Sequence, residues 1–150
     1  MQLADVLHEK MVFLDFKAVG KDEAIDAFVK AIVDSGTVDE PAALKSALLE
    51  REKLGTTGVG GGIAIPHARC GVIKDLSVAF FRSPEGINFG AIDGKPVNLI
   101  FLLLAPIASG GPYLKLLAKI SRLLRGDEFR QALMDADGPA AVLEIIRDNE

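Results

Sequence analysis

The residues of this chain most suited to chemistry lie in one stretch, residues 51–70, which reads REKLGTTGVGGGIAIPHARC. The stretch holds five of the fifteen glycines and one of the two histidines. At neutral pH a histidine can offer an unprotonated ring nitrogen as a nucleophile. The apolar run at 63–65 predicts a short strand, and Pro66 restrains the backbone after it. We therefore expect His67 to lie where a strand ends, with its ring accessible to solvent.

The glycine cluster Gly58-Val-Gly60-Gly-Gly62 has two interpretations. Backbone amides without side chains can form a concave nest that binds an anion such as phosphate. A tight turn or a bulge requires the same glycines. The pattern is neither a Walker loop, which needs a following Gly-Lys-Ser/Thr, nor a dinucleotide-binding fingerprint. The sequence leaves the nest and the turn as alternatives.

His67 also has a structural interpretation, in which its ring only makes hydrogen bonds. A zinc site is disfavoured because His67 and Cys70 supply two ligands where a structural site needs four. The serines and aspartates show no spacing typical of a catalytic triad. On the structural interpretation, Arg51 and Glu52 are exposed charges at a helix end.

The composition limits the class of protein. The 150 residues are 49% hydrophobic and 25% charged, which is typical of one folded domain, here residues 1–150, with its own core. The net charge of -4 disfavours nucleic acid as a partner, because that binding depends on clustered Lys and Arg. A single cysteine permits no internal disulfide. There is no signal-peptide pattern, and no apolar run approaches the roughly 20 residues that span a bilayer. We expect a cytoplasmic protein without direct membrane insertion.

The elements that must position these residues alternate between helix and strand. Apolar residues at helical spacing predict helices at 21–35, 40–54, from near 113 to 126, at 127–134 and at 139–147. Asp39 is the expected N-cap of the second helix, and Pro112 the expected first residue of the third. Alternating or continuous apolar runs predict strands at 11–16, 76–82 and 97–104. The second strand is expected to break at the Ser-Pro turn, and the third to be central. These elements predict an α/β fold with three α/β/α layers.

Several short motifs in the central stretch stand at a characteristic spacing. They are Arg51-Glu-Lys-Leu, Thr57-Gly, Gly60 and Gly62-Ile-Ala-Ile-Pro-His67. Together they resemble the phosphohistidine signature of enzyme IIA domains of the bacterial phosphotransferase system, of the fructose/mannitol and nitrogen-regulatory type. Residues 91–106 and 114–124 resemble the family's central strand and the helix after it, so the resemblance covers nearly the whole chain. It implies a mixed β-sheet flanked by helices.

The resemblance also implies a phosphoryl carrier, rather than a stand-alone turnover enzyme. His67 would accept the phosphoryl group from a small histidine-containing phosphocarrier protein. A sugar-permease component or a regulatory target would be the acceptor. Arg51 would neutralise charge on the phosphoryl oxygens, and Thr57 would bind one of them or orient the imidazole. Amides around Gly60 would complete an anion cradle. Such transfer needs mostly positioning and electrostatic stabilisation, so no metal or organic cofactor is expected.

The chain departs from the family pattern at the start of the helix after the central strand. The family usually has a second active-site histidine there, and this chain has Tyr113. A phenol, with a pKa of about 10, can donate one hydrogen bond to phosphate at neutral pH but offers no cation. The helix N-terminus would add amides and partial positive charge. Tyr113 has a structural interpretation too, as an aromatic packed at a helix start. The departure favours a phosphoryl carrier with a regulatory role. The alternative function is a regulatory protein-binding module of the same fold that passes no phosphate onward.

Overall fold

The chain forms six helices and six strands, and the computed structural model describes all 150 residues. The helices are α1 (Leu3–Val6), α2 (Lys21–Asp34), α3 (Pro41–Lys53), α4 (Gly110–Leu123), α5 (Asp127–Asp135) and α6 (Pro139–Asn149). The strands are β1 (Val12–Phe13), β2 (Gly58–Gly60), β3 (Ile63–Ala64), β4 (His67–Arg69), β5 (Ser77–Ile87) and β6 (Val97–Ala105). None of the helices has the length and apolar character that crossing a bilayer requires.

The strands form one mixed sheet in the order β1-β5-β6-β3-β2, with β4 also paired to β6. β6 is antiparallel to β5 and parallel to β3 and β4. Ile63 lies opposite Leu99 and His67 opposite Leu103, so β3 and β4 keep a single register along β6. Pro66 accepts a hydrogen bond from the N–H of Leu103 but has no N–H to donate in return. β3 and β4 are therefore two parts of one strand, interrupted at this proline.

Helices cover both faces of the sheet, as two neighbouring residues of β5 show. The ring of Phe81 lies 4.6 Å from that of Phe28 in α2. The guanidinium of Arg82 donates to the carbonyls of Leu133 and Ala136 at the end of α5. Because successive strand side chains point to opposite faces, α2 and α5 lie on opposite sides of the sheet. The predicted α/β fold with three layers is confirmed.

The centre of the sheet is β6, and it is buried along nearly its whole length. This confirms the sequence prediction of a strand covered on both faces. The predicted break in β5 at the Ser-Pro turn is wrong. β5 continues to Ile87, and its register with β6 shifts between Arg82 and Ile87. β1 pairs with β5 only at Phe80 and Phe81, so the proline beyond them lies on a free edge where a missing N–H costs no ladder bond.

Three further sequence predictions need correction. The first strand is two residues long, because a 3₁₀ turn over Glu9–Met11 precedes it. The residue that caps α3 is Glu40, one position later than predicted. α4 begins at Gly110, because the N–H of Tyr113 closes a first turn on the carbonyl of Ser109. A proline fits inside that first turn, since its N–H would have no helical partner there.

Candidate functional site

His67 is the first residue of β4, and its ring is held by two hydrogen bonds. Nδ1 lies 2.8 Å from the carbonyl oxygen of Ile65. Nε2 lies 2.9 Å from Nε of Arg51, which can only donate. A neutral imidazole has one donor and one acceptor nitrogen. The two contacts therefore select the tautomer that is protonated on Nδ1, with the lone pair on Nε2.

The surroundings of His67 keep the ring neutral. Burial lowers the pKa of His67 below its ordinary value of 6.5, because the charged ring would lose solvation. The hydrogen bond to the Ile65 carbonyl and the charge of Glu52 act in the opposite direction, while the charge of Arg51 lowers the pKa further. At pH 7 the lone pair on Nε2 is consequently present.

Arg51 lies in the last turn of α3 and is fixed at both ends of its guanidinium. Nε donates to His67, and Nη1 donates to the carbonyl of Gly55 at 2.9 Å. Arg51 is therefore not the free charge at a helix end that the structural interpretation predicted. It is held in place beside the nitrogen that carries the lone pair.

Glu52 and Thr57 form a buried network behind the site. Thr57 is 3% exposed, and both its N–H and its hydroxyl donate to the carboxylate of Glu52. Nζ of Lys21 lies 2.9 Å from the same carboxylate, which is 6% exposed. The sequence interpretation of Glu52 as an exposed charge is wrong. Thr57 binds Glu52 rather than His67, so it fixes the loop after α3 and has no free hydroxyl proton for a phosphoryl oxygen.

The glycine cluster forms a turn at the far end of the strand that leads to His67. Residues 60–62 have φ values of 94°, 66° and 79°, a backbone that side chains other than glycine adopt at a cost, and they connect β2 to β3. The N–H of Gly61 donates to a carboxylate oxygen of Asp93 at 3.0 Å. Gly60 pairs with Ile63, four residues before His67, which is roughly 13 Å along a strand. The structure does not bring Gly60 to the histidine.

Tyr113 approaches His67 from the first turn of α4. Their ring centroids are 5.8 Å apart in an edge arrangement, and Tyr113 is buried. Burial raises the pKa of Tyr113 above its ordinary value of 10.0, although the charges of Arg69 and Arg51 act to lower it. Tyr113 is thus neutral at pH 7, and its ring lies beside the imidazole.

Sequence reasoning missed Arg69, which belongs to the same cluster. Its guanidinium carbon lies 5.5 Å from the centroid of the Tyr113 ring. The available signal was its position two residues after His67, because side chains at that spacing leave a strand on the same face. Arg51, His67, Arg69 and Tyr113 line one open pocket between α3, β4 and α4.

Apolar side chains form the rim of this pocket. Leu54 is 85% exposed and Leu114 is 61% exposed, and both lie beside the histidine and the arginines. Large apolar side chains exposed together are typical of protein contact surfaces. The fold and site define an α/β domain with a neutral histidine in an arginine-lined surface pocket.

Comparison with known families agrees with this description. The chain matches the family described as "Phosphoenolpyruvate-dependent sugar phosphotransferase system, EIIA 2" over residues 5–149. The chain belongs to this family. The resemblance that the sequence motifs indicated is thereby confirmed.

Similar proteins include both sugar-specific and regulatory members. The chain is 40% identical over 139 residues to the PTS system fructose-specific EIIA component of Haloferax volcanii, which covers 93% of this chain and 90% of that protein. The crystal structure of the nitrogen regulatory protein IIA-Ntr from Neisseria meningitidis has a TM-score of 0.88 and 33% identity, covering 95% of this chain and 97% of that one. Enzyme IIA mannitol of Escherichia coli, solved in complex with phosphorylated enzyme IIB mannitol, has a TM-score of 0.79 and 26% identity, covering 94% and 96%.

Proposed function

We propose that this chain is a phosphoryl carrier that accepts a phosphoryl group on Nε2 of His67 from a histidine-containing phosphocarrier protein. The observation that carries the proposal is the fixed tautomer of His67. Its Nδ1 proton is bound by the carbonyl of Ile65, and its Nε2 lone pair faces the guanidinium of Arg51. Membership of the EIIA 2 family supports the choice of donor.

In the transfer, Nε2 of His67 attacks phosphorus while the bond between phosphorus and the donor's ring nitrogen breaks. The electron pair of that bond stays on the donor's imidazole. The Nδ1 proton of His67 stays on the ring and is donated to the Ile65 carbonyl, which stabilises the positive charge that the ring gains. Because the lone pair of Nε2 is now used in the bond to phosphorus, the N–H of Arg51 donates to a phosphoryl oxygen instead. This hydrogen bond is charge-assisted.

The outcome of loading is a change in protein contacts, and we assign the chain a regulatory role in the cytoplasm as a single domain. A phosphoryl group adds about −1.5 to −2 charges at pH 7 beside the exposed Leu54 and Leu114. A surface that binds partners through apolar contacts is changed by that charge. The acceptor or reader is a sugar-permease component or a regulatory target, and the complex of the mannitol relative with enzyme IIB supports docking by a protein.

A second candidate is a regulatory binding module of the same fold that passes no phosphoryl group onward. Tyr113 favours it, because this residue occupies the position of the family's second active-site histidine and is a buried, neutral phenol. The two candidates differ in whether a phosphoryl group is passed on to an acceptor.

Intact mass spectrometry tests the loading of His67. After incubation with the phosphorylated phosphocarrier, we expect the mass of one phosphoryl group, removed by acid and retained in alkali. His67→Ala should gain nothing, whereas His8→Ala, the matched control, should load normally. If the wild-type chain gains no mass where another enzyme IIA is labelled, the carrier function is wrong. The same gain in His67→Ala would reject the site.

Exchange kinetics test whether Tyr113 limits phosphoryl transfer, which is the observation that favours the second candidate. We expect Tyr113→His to exchange the phosphoryl group with the donor faster than the wild type, because an imidazolium adds a cation beside the phosphoryl group. The measurement is the rate of label exchange between donor and chain. An unchanged rate would remove the observation that favours the second candidate.

A further inference from the structure

We propose that Arg69 supplies the second positive charge of this site and binds an oxygen of the phosphoryl group on His67, next to the hydroxyl of Tyr113. The proposal rests on the function proposed above and assigns a role to a residue outside the sequence motifs. It places a guanidinium where the family's second histidine would otherwise contribute charge.

The first support is the path of the Arg69 side chain. Arg69 is exposed at the end of β4, on the same strand face as His67. Its side chain lies across the start of α4 rather than extending into solvent. A Cβ atom placed on Gly110 would stand 3.0 Å from Nη1 of Arg69, and the guanidinium carbon is 5.5 Å from the centre of the Tyr113 ring. A cation at this distance from an aromatic ring is attracted to it.

The second support is the absence of a competing partner. The protein has six ion pairs, none of which includes Arg69. The arginines whose guanidinium groups donate hydrogen bonds within the protein are Arg51, Arg82 and Arg130, and Arg69 is not among them. Arg51, by comparison, already uses two of its donors on His67 and Gly55. The five N–H donors of Arg69 are free for an anion, and their planar arrangement suits phosphate.

The third support is the shared pocket. Arg51, Arg69 and Tyr113 line it together with His67, and the charges of both arginines act to lower the pKa of Tyr113. Arg51 also binds Nε2 of His67 directly. A phosphoryl group on Nε2 therefore extends into the pocket that Arg51, Arg69 and Tyr113 line. Two arginine charges balance the charge of about −1.5 to −2 that a phosphoryl group carries at pH 7.

An arginine in place of the family's second histidine changes how the charge of the site depends on pH. A histidine loses its charge as the pH rises past its pKa, whereas an arginine stays charged. With Arg69 in place, the phosphorylated form keeps its second cation throughout the physiological pH range. The site thus stabilises loaded His67, which suits a chain whose phosphorylation state is read by a partner.

The test compares Arg69→Gln with Arg147→Gln, which removes the same charge from an exposed position in α6. The equilibrium of phosphoryl exchange with the donor is measured by intact mass, and hydrolysis of the purified phosphorylated chain is measured by ³¹P NMR without the donor. We expect Arg69→Gln to shift the equilibrium about tenfold towards the donor, the scale of one charge-assisted hydrogen bond at an exposed site. Arg147→Gln should match the wild type, and Arg69→Lys should recover part of the loss.

A spectroscopic readout separates contact with the phosphoryl group from contact with the donor. In the purified phosphorylated wild type, the ¹⁵Nε signal of Arg69 should shift relative to the unphosphorylated chain, while that of Arg147 should not. If the wild type loads but the Arg69 signal stays in place and Arg69→Gln keeps the wild-type equilibrium within about twofold, the role of Arg69 is wrong and the carrier function stands. If the wild type does not load at all, both proposals fail.

Discussion

Two neighbouring residues at the end of α3, Arg51 and Glu52, belong to regions with opposite properties. The side chain of Glu52 is buried, and its carboxylate accepts from Thr57 and Lys21. We call Glu52, Thr57 and the glycine turn at 60–62 the anchoring region. Arg51 faces an open pocket, where we call Arg51, His67, Arg69 and Tyr113 the reactive region.

The two regions differ in whether their polar groups can still bind a ligand. In the anchoring region the donors and acceptors are paired within the protein, as buried polar groups must be. In the reactive region the lone pair of His67 accepts only from the partly exposed Arg51, and Arg69 takes part in none of the ion pairs. Substitutions in the anchoring region should therefore change the free energy of unfolding, and substitutions in the reactive region should change phosphoryl loading.

The largest effect is expected for Glu52→Ala. Removing the carboxylate leaves both donors of Thr57 without a partner and leaves Lys21 with only the hydroxyl of Thr56, which should lower the free energy of unfolding by about 3 kcal/mol. Urea denaturation measures this change. Glu50→Ala, one residue from Arg51 and exposed, is the matched control and should stay within about 0.5 kcal/mol of the wild type. Equal losses in the two variants would contradict the anchoring role.

Arg51→Gln should show the reverse behaviour. We expect the initial rate of His67 loading to fall about a hundredfold, because one preorganised donor to a transferring group is lost. The free energy of unfolding should change by less than about 1 kcal/mol, since the side chain is partly exposed. Lys53→Gln removes the same charge from the same helix end and should load at the wild-type rate. If Arg51→Gln loses much of its free energy of unfolding but loads His67 at the normal rate, Arg51 has an anchoring role instead.

Gly61→Ala tests the assignment of the glycine turn. Gly61 has a φ of 66°, so an alanine there should cost about 1 to 2 kcal/mol of unfolding free energy. Loading of His67 should be unchanged. Gly71→Ala is the control, because Gly71 lies outside the positive-φ glycines and a Cβ there meets no atom within 4 Å. Slower loading of His67 in Gly61→Ala would instead support the alternative interpretation of the glycine cluster, in which it forms a nest that binds the phosphoryl group.

The smallest effect concerns pH. NMR titration of the His67 ring should give a midpoint below 6.5, because burial first, and the charge of Arg51 as well, lower its pKa. A ring with a lowered pKa stays unprotonated to lower pH, so loading should persist below 6.5 and decline only as the pH falls through the midpoint. In Arg51→Gln the midpoint should rise. A wild-type midpoint at or above 6.5 would contradict the proposed environment of Nε2.

Much of the fold and the centre of the site could be predicted from local sequence. Apolar spacing located the main helices, and the uncharged run at 97–104 located the central strand, because periodicity reflects which side of an element is buried. The motif around His67 identified the family and the histidine. The exact helix starts and the continuation of β5 past Ser83 depended on which hydrogen-bond partners lay nearby, so local sequence did not predict them.

The sequence by itself determined that a histidine follows a short strand and a glycine turn in an α/β chain of this family. Only the tertiary structure decided which polar groups are free. Folding pairs Thr57 with Glu52, separates Gly60 from His67, and places Arg69 on Tyr113. The reason is that a side chain's capacity for a ligand depends on the partners within hydrogen-bonding distance, and residues distant in sequence supply those partners. The stretch 51–70 therefore contains parts of two regions: Glu52, Thr57 and the glycine turn hold the strand in place, and Arg51, His67 and Arg69 line the pocket at its end.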